Sequence, residues 1–218
     1  MTRTRVRPAP SARAVGLALA LGALISACAT LIPVTEEFQP SDLDQAAGAR
    51  WAAHVARVLA LDPLVMSARV AVQDAQQGGT FKVRWQERAG RLTLSIKPPI
   101  GGGRFLLREY PGGVELTTSE GQVVSSQSAD ALVSEYLSLT LPVEGARYWV
   151  RGLPDPRQPA TQIERTEDGL LADFAQGRWR VSILSYADVD GTPLPQRLFL
   201  SRDEVKVRIA VSQWETSL

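Results

Sequence analysis

The chain has 218 residues, of which 44% are hydrophobic, and its 24 basic and 23 acidic side chains nearly balance. This length and composition suit one globular domain with a hydrophobic core, and they exclude a disordered or collagen-like chain. The near-neutral charge also excludes a strongly basic nucleic-acid-binding protein.

The amino terminus is typical of a secretory signal peptide. Four arginines precede Ala14–Ala27, an uncharged apolar run of 14 residues, whereas a membrane-spanning helix needs roughly 20. The run ends in small residues before Cys28, the single cysteine, and so resembles a bacterial lipobox, in which the cysteine is acylated after cleavage. The alternative is an ordinary signal peptide with a cysteine there by chance. Residues 1–27 are predicted to be a cleaved signal peptide, and residues 28–40 a lipidated tether.

Cleavage before Cys28 changes the charge of the chain. The mature chain of 191 residues loses four arginines and no acid, so its net charge falls from +1 to −3. No basic stripe is expected to hold it on anionic headgroups, so the acyl chains would provide the whole attachment. The residue after the cysteine is Ala29 rather than aspartate. In this the chain resembles proteobacterial lipoproteins that are sorted to the outer membrane, where the protein would face the periplasm.

Periodicity divides the mature chain into helices and strands. Apolar residues recur at helical spacing from Ser41 to Leu61, and from Val65 onward the period changes to two. Short turns make the sheet antiparallel. About eleven strands are expected, at roughly residues 65–74, 79–87, 91–97, 103–110, 113–118, 122–126, 161–165, 169–176, 178–186, 196–202 and 205–213. Two short helices lie between the sixth and seventh strands, the first capped by Ser128.

A sheet of this length would expose its apolar face unless it curled and helices covered it. The predicted fold is therefore mainly β with α (α+β). A single curved antiparallel sheet forms an open half-barrel, with about three helices covering an apolar cavity. One domain, residues 41–218, contains all of these elements.

The sequence offers no recognisable catalytic centre. His54 is the only histidine, and no serine or cysteine nucleophile motif accompanies it, so a solvated or capping role is expected. One histidine and an acylated cysteine leave no metal site. No enzyme activity, catalytic residue, metal or cofactor is therefore expected.

The apolar face of the predicted sheet, with the helices above it, is the remaining candidate for function. It would suit an apolar ligand, but the same side chains could instead pack as a solid core, and the sequence leaves both readings open. The candidate residues are Phe81, Val83, Trp85, Leu94, Ile96, Phe105, Leu107, Leu116, Leu132, Tyr136, Trp149, Val181 and Ile183.

One strand connection has an apolar residue where a polar one is usual. Prolines fix φ and glycines permit sharp reversals, so the segment "SIKPPIGGGR", residues 95–104, is a loop with Ile100 at or near its tip. Taken alone, Ile100 could fold back onto the sheet or point outward.

Several segments resemble the LolB family, in the same order along nearly all of the mature chain. They are the lipobox ending in Cys28, the helix with Trp51, "GGTFKVRWQ" at 78–86, "RLTLSIKPPIG" at 91–101, "LTLPVEGARYWVRGLPDP" at 139–156 and a last strand ending in Trp214. The resemblance implies an outer-membrane lipoprotein chaperone that accepts lipoproteins from the periplasmic carrier LolA. It would hold their acyl chains in its cavity and insert them into the outer membrane without ATP or another cofactor.

The resemblance also implies a membrane-insertion loop, formed here by Pro99, Ile100 and Gly101. The family commonly has leucine where this chain has Ile100, and this loop has an extra proline before it and two extra glycines after it. The implied partners are a LolA-type carrier, lipoprotein cargo and outer-membrane lipid, with no nucleic acid, and the protein is expected to be a monomer. The alternatives are a structural lipoprotein of an outer-membrane assembly complex with a solid core, and an envelope hydrolase.

Overall fold

Eleven β-strands form one open antiparallel sheet in the computed structural model, which describes residues 45–75, 77–99 and 103–217, with side chains from residue 48 onward. Within these residues there are three helices: α1 (Gln45–Ala60), α2 (Ala129–Leu137) and α3 (Val143–Trp149). The strands are β1 (Leu64–Gln73), β2 (Gly78–Arg88), β3 (Arg91–Lys97), β4 (Phe105–Tyr110), β5 (Gly113–Thr117), β6 (Val123–Ser126), β7 (Ala160–Arg165), β8 (Leu171–Gln176), β9 (Trp179–Val189), β10 (Thr192–Arg202) and β11 (Val205–Thr216). The predicted fold class is confirmed.

The two halves of the chain meet in the middle of the sheet. The strand order is β6-β5-β4-β3-β2-β1-β11-β10-β9-β8-β7. Strands that pair in the sheet are therefore consecutive in the sequence, except for β1 and β11. β6 and β7 are the two edges, and the helical segment connects them. The last strand therefore joins the first, and the long connection carries α2 and α3 from one edge to the other.

The strands alternate between a covered face and an exposed one. In β2, Val83 and Trp85 are buried while Lys82 and Arg84 are exposed, because successive side chains of a strand point to opposite faces. The pairing register of β1 with β11 shifts between Ser67 and Ala68, and that of β10 with β9 shifts near its prolines. Such irregularities bend strands and increase their twist, which curves the sheet around its covered face.

The two short helices are tied to each other at their amino ends. Ser128 caps α2 as predicted, its hydroxyl accepting a hydrogen bond from the backbone N–H of Ala131 at 3.3 Å. The same hydroxyl donates to Glu144 on α3 at 3.0 Å, and the Glu144 N–H donates to Asp130 on α2 at 3.0 Å. The helices therefore cover the sheet as a joined pair.

Helix α1 packs on the protein through one stripe of side chains. Trp51, His54 and Val58 are buried, at the three- and four-residue spacing of one helix face. The expectation of a solvated or capping role for His54 was wrong, because it lies inside α1 on this stripe, which turns the ring inward. Ser41, the predicted start of this helix, lies outside the described residues. No described helix combines the length and apolarity needed to cross a bilayer.

Candidate functional site

A small cavity lies between α3 and the covered face of the sheet. Its volume is about 50 Å³. The lining is entirely apolar: Val70, Val83, Trp85, Leu94, Leu141, Pro142, Val143, Ala146, Val150, Leu200, Val207 and Ile209. Apolar cavities of this kind stay empty of water, and this one has far less than the roughly 300 Å³ of small ligand sites. In this conformation it has no room for an acyl chain.

The thirteen predicted cavity residues all belong to the core or pack against it. Ten are buried, and three are partly buried: Phe81, Phe105 and Tyr136. Val83, Trp85 and Leu94 line the 50 Å³ cavity. The others do not line it, so in the observed conformation most of these side chains fill the core. Their contact with an acyl chain stays a prediction.

A buried group of charged residues holds α3 over the sheet. Glu87 on β2 is 6% exposed, and its Oε2 accepts a hydrogen bond from Nε of Arg147 at 3.0 Å and lies 3.1 Å from Nη2 of Arg151. Its Oε1 accepts from the indole N–H of Trp85 at 2.8 Å. We call Glu87, Arg147, Arg151 and Glu109 the ionic clamp. A buried carboxylate without such partners would cost several kcal/mol, so the clamp opposes separation of α3 from the sheet.

The ionic clamp also reaches β4 and α1. Arg147 donates to both oxygens of Glu109, at 3.1 and 2.9 Å, and Glu109 accepts in addition from the N–H of Leu92 at 2.9 Å. Arg151 donates to the carbonyl oxygen of Val58 at 3.1 Å. Burial alone would lower the pKa of Arg147, but its two carboxylate partners outweigh burial and raise that pKa above its usual value. Arg147 therefore stays charged, and the clamp ties α1, α3 and strands β2, β3 and β4 together.

A larger groove, which we call the α1 groove, lies between α1 and the segment that follows α3. Its volume is about 640 Å³, within the range of small-molecule sites. Trp51, Ala52, Val55, Ala56 and Leu59 form one wall, and Tyr148 with residues 153–160 forms the other. Leu59 is 55% exposed, so the groove presents apolar surface to solvent.

Polar contacts hold the second wall of the α1 groove in place. Asp155 is 2.7 Å from Nη2 of Arg157, and the Arg157 guanidinium lies 5.9 Å from the ring centre of Tyr148. Burial alone would raise the pKa of Asp155, but hydrogen bonds and the charge of Arg157 outweigh burial and lower it. Gln176 on β8 donates to the Asp155 carbonyl and accepts from the indole of Trp149, both at 2.7 Å. The wall is therefore anchored to both α3 and the sheet.

The sequence did not single out the α1 groove, although one signal was present. Apolar residues of α1 form two neighbouring stripes rather than one. Val58 is buried beneath the helix, Val55 and Leu59 face the groove, and the buried Trp51 borders both surfaces. The apolar residues therefore cover more of the circumference of α1 than packing on the core requires. That excess could have indicated that α1 has a second apolar contact surface.

The predicted lipid contacts lie at the limits of the described residues. Cys28, Ile100 and Gly101 lie outside them. Pro99 is described and exposed, and it follows the half-buried Pro98 in a bend after β3. The lipidation site and the insertion loop therefore stay predictions.

Comparison with known proteins decides the family. A family model described as outer membrane lipoprotein LolB matches residues 63–214. The chain belongs to the LolB family. It is 30% identical over 201 residues to an outer-membrane lipoprotein LolB of Chromohalobacter salexigens, covering 92% of this chain and 90% of the relative. It is 32% identical over 191 residues to a LolB of Alkalilimnicola ehrlichii, covering 88% and 91% of the two chains.

A solved structure is similar in fold. It is a DUF1329 family protein from Desulfovibrio piger with a TM-score of 0.53, 12% sequence identity and coverage of 79% of this chain and 93% of that one. At this identity the similarity concerns the fold alone. Membership of the LolB family confirms the predicted localisation, lipid-anchored at the outer membrane, and the function at its coarser level, that of an outer-membrane lipoprotein receptor.

Proposed function

We propose that this LolB-family chain accepts lipoproteins from a LolA-type periplasmic carrier and inserts them into the outer membrane. The α1 groove is the observation on which the proposal rests. Its volume of about 640 Å³ and its apolar α1 wall suit a fatty acyl chain. The exposed Leu59 provides apolar surface that would gain free energy if an acyl chain removed it from water.

Release of the cargo requires incomplete burial of its acyl chains. Each methylene removed from water contributes about 0.8 kcal/mol, so two fully buried long chains would exceed the roughly 20 kcal/mol at which non-covalent affinities saturate. A groove whose α1 wall includes the exposed Ala52, Ala56 and Leu59 gives a smaller gain. Cargo held in this way can leave once the bilayer offers a better environment.

The 50 Å³ cavity under α3 is the second part of the proposed acyl site. It is dry, wholly apolar and closed by the ionic clamp. A movement of α3 away from the sheet would join the cavity to the apolar side chains around it. In this proposal the groove receives the first part of an acyl chain, and opening of the clamp accommodates the rest.

Insertion into the membrane is proposed to use the loop after β3. The exposed Pro99 and the prolines' fixed φ angles support a stiff arm on one side of the loop. Ile100 would enter the lipid interface and hold the mouth of the acyl site against it. Without an energy source, cargo moves forward only if each acceptor binds the acyl chains more favourably than the last.

The direct test is incubation of the anchored protein with a LolA–lipoprotein complex, followed by measurement of cargo on each partner. The proposal predicts that cargo leaves the carrier and is recovered first on this protein and then in the membrane. Cargo that stays on the carrier would contradict it.

The filled core favours one alternative, a structural lipoprotein with no ligand. An apolar fluorescent probe distinguishes the two, because a solid core without a usable groove would not bind it. The proposed receptor should bind the probe, and LolA-borne lipoprotein should displace it.

A further inference from the structure

A row of basic side chains crosses the exposed face of the sheet. Lys97 on β3 lies directly opposite Lys82 on β2, which lies opposite Arg69 on β1. The row continues through Ala210 on β11 to Arg197 on β10. At a strand spacing of about 4.8 Å, it spans about 19 Å. We call Lys97, Lys82, Arg69 and Arg197 the cation row.

The cation row is unfavourable for the isolated fold. Like charges directly opposite each other on neighbouring strands are destabilising. The side chains of Arg69, Lys82 and Lys97 are exposed and make no hydrogen bond or ion pair with any other residue that the structure describes. The stability of the fold therefore does not explain why three cations occupy adjacent positions. Binding to an anionic partner would explain it.

Acidic side chains on the same face lie beside other arginines. Glu215 pairs with Arg84 at 3.1 Å, and Glu115 lies directly opposite Arg108 on the neighbouring strand. Asp173, farther along the sheet, forms an ion pair of 2.6 Å with an arginine of β9. The positive potential of the cation row is therefore not neutralised from within its own face by these acids.

The position of the cation row indicates which anion it meets. Lys97 is the last residue of β3, directly before the Pro98–Pro99 bend, and the exposed Arg104 lies on the far side of the same loop. The chain is anchored at the outer membrane, so the phospholipid surface is the anionic partner that the anchor keeps near the folded domain. Basic residues close to an anionic membrane contribute about 1 kcal/mol each to its attraction.

We infer that the cation row docks the exposed face of the sheet on the phosphate groups of anionic phospholipids. Docking would turn the anchored domain so that the segment after Lys97 meets the bilayer. The orientation of that segment rests on the proposed function, whereas the lipid contact itself does not. The expectation of a protein with no basic stripe was wrong, because cations that are scattered along the chain become neighbours only in the sheet.

The test uses the lipid-anchored protein with a fluorescent label at Thr80→Cys, an exposed position on β2 two residues from Lys82. Phosphatidylcholine vesicles carry nitroxide-labelled headgroups, with or without phosphatidylglycerol. Quenching of the label is expected with phosphatidylglycerol at low salt and should disappear at high salt. Replacing Lys82 and Lys97 together by glutamine should weaken surface association about 30-fold, at about 1 kcal/mol per cation.

A matched control exists in the same hairpin. Arg88 and Arg91 are also exposed and directly opposite each other, but at the other end of β2 and β3, about 20 Å from Lys82. Replacing both by glutamine should leave quenching unchanged.

Three results would overturn the inference: quenching without phosphatidylglycerol, quenching unchanged in the Lys82 and Lys97 variant, or loss of cargo uptake in that variant with quenching intact. The last would mean that the row binds an acidic protein. Normal quenching in a protein that never accepts cargo would instead refute the proposed function alone.

Discussion

Glu87 on β2 and Arg147 on α3 are joined by a hydrogen bond of 3.0 Å at a position where the carboxylate is almost completely buried. This pair places a charge network directly beside the apolar cavity that α3 covers. Since Arg151 contacts the same carboxylate, moving α3 would separate Glu87 from two cations at once. The closed conformation is therefore held by charge as well as by apolar packing.

Glu87→Gln should destabilise the protein strongly. The variant leaves Arg147 and Arg151 without their shared charge, and breaking a buried pair from one side costs about 3 kcal/mol or more. Urea denaturation measures this loss of the free energy of unfolding. Arg84→Gln is the control, because it breaks the exposed pair with Glu215 and should cost less than about 1 kcal/mol. Equal losses in the two variants would show that the clamp contributes no more than a surface pair.

Lys82→Gln should stabilise the protein in the absence of lipid. Lys82 lies between Lys97 and Arg69 in the cation row, and removing it relieves two repulsions. The expected gain in the free energy of unfolding is about 0.2 to 1 kcal/mol at low salt, and it should shrink as salt screens the charges. Thermal or urea unfolding at two salt concentrations checks this. A loss of stability at low salt would mean that the lysines do not repel each other.

His54 should make the stability of the protein depend on pH. Burial, and secondarily the charge of Arg57, lowers the pKa of His54 below its usual 6.5. The unfolded chain therefore takes up a proton first as pH falls through about 6.5, so the free energy of unfolding decreases. The contribution of the neutral ring is complete above that pH and is lost below it.

The measurement is urea denaturation at about pH 7.5 and about pH 5.5, which bracket the usual titration of histidine. The native protein should be less stable at the lower pH. Because His54 is the only histidine, His54→Gln should reduce the difference between the two conditions. The same difference in both proteins would exclude His54 as its origin.

Ile100→Glu should slow delivery of cargo to membranes while leaving its uptake from the carrier intact. An acidic residue in the bilayer costs about 2.5 kcal/mol or more, so transfer should slow at least about tenfold. Ile100→Leu keeps the apolar tip and is the control. Delivery is measured as lipoprotein recovered with vesicles after loading. A normal rate for a properly anchored Ile100→Glu protein would disprove the insertion role.

The sequence predicted the positions of the strands better than it predicted how the strands pair in the sheet. Period-two alternation follows directly from the pleat of a strand, so all eleven strands appear within a few residues of their expected positions. The pairing of β1 with β11 could not be obtained in this way, because it joins the two ends of the domain. The extension of the cation row from Arg69 to Arg197 depends on that pairing, and the row as a whole depends on the strand register.

The candidate site was predicted in part for a related reason. Val83 and Trp85 were assigned correctly to the covered face, since alternation fixes which side of a strand is apolar. Whether they line a cavity or fill a core depends on the position of α3. Glu87 holds α3 through Arg147, which is 60 residues away in the sequence, so no local pattern predicts this contact. The α1 groove likewise requires segments distant in sequence to meet.

The most direct test of the proposed acyl site is cargo transfer from a LolA–lipoprotein complex to Leu59→Asp. Leu59 is 55% exposed in the α1 groove, whereas Leu184 on β9 is 62% exposed and does not line the groove. Leu184→Asp therefore makes the same chemical change outside the site. We expect Leu59→Asp to accept cargo at least about tenfold more slowly, since a charge in an apolar site costs more than about 1.4 kcal/mol, while Leu184→Asp should behave as the native protein. Equal transfer to the two variants would contradict it.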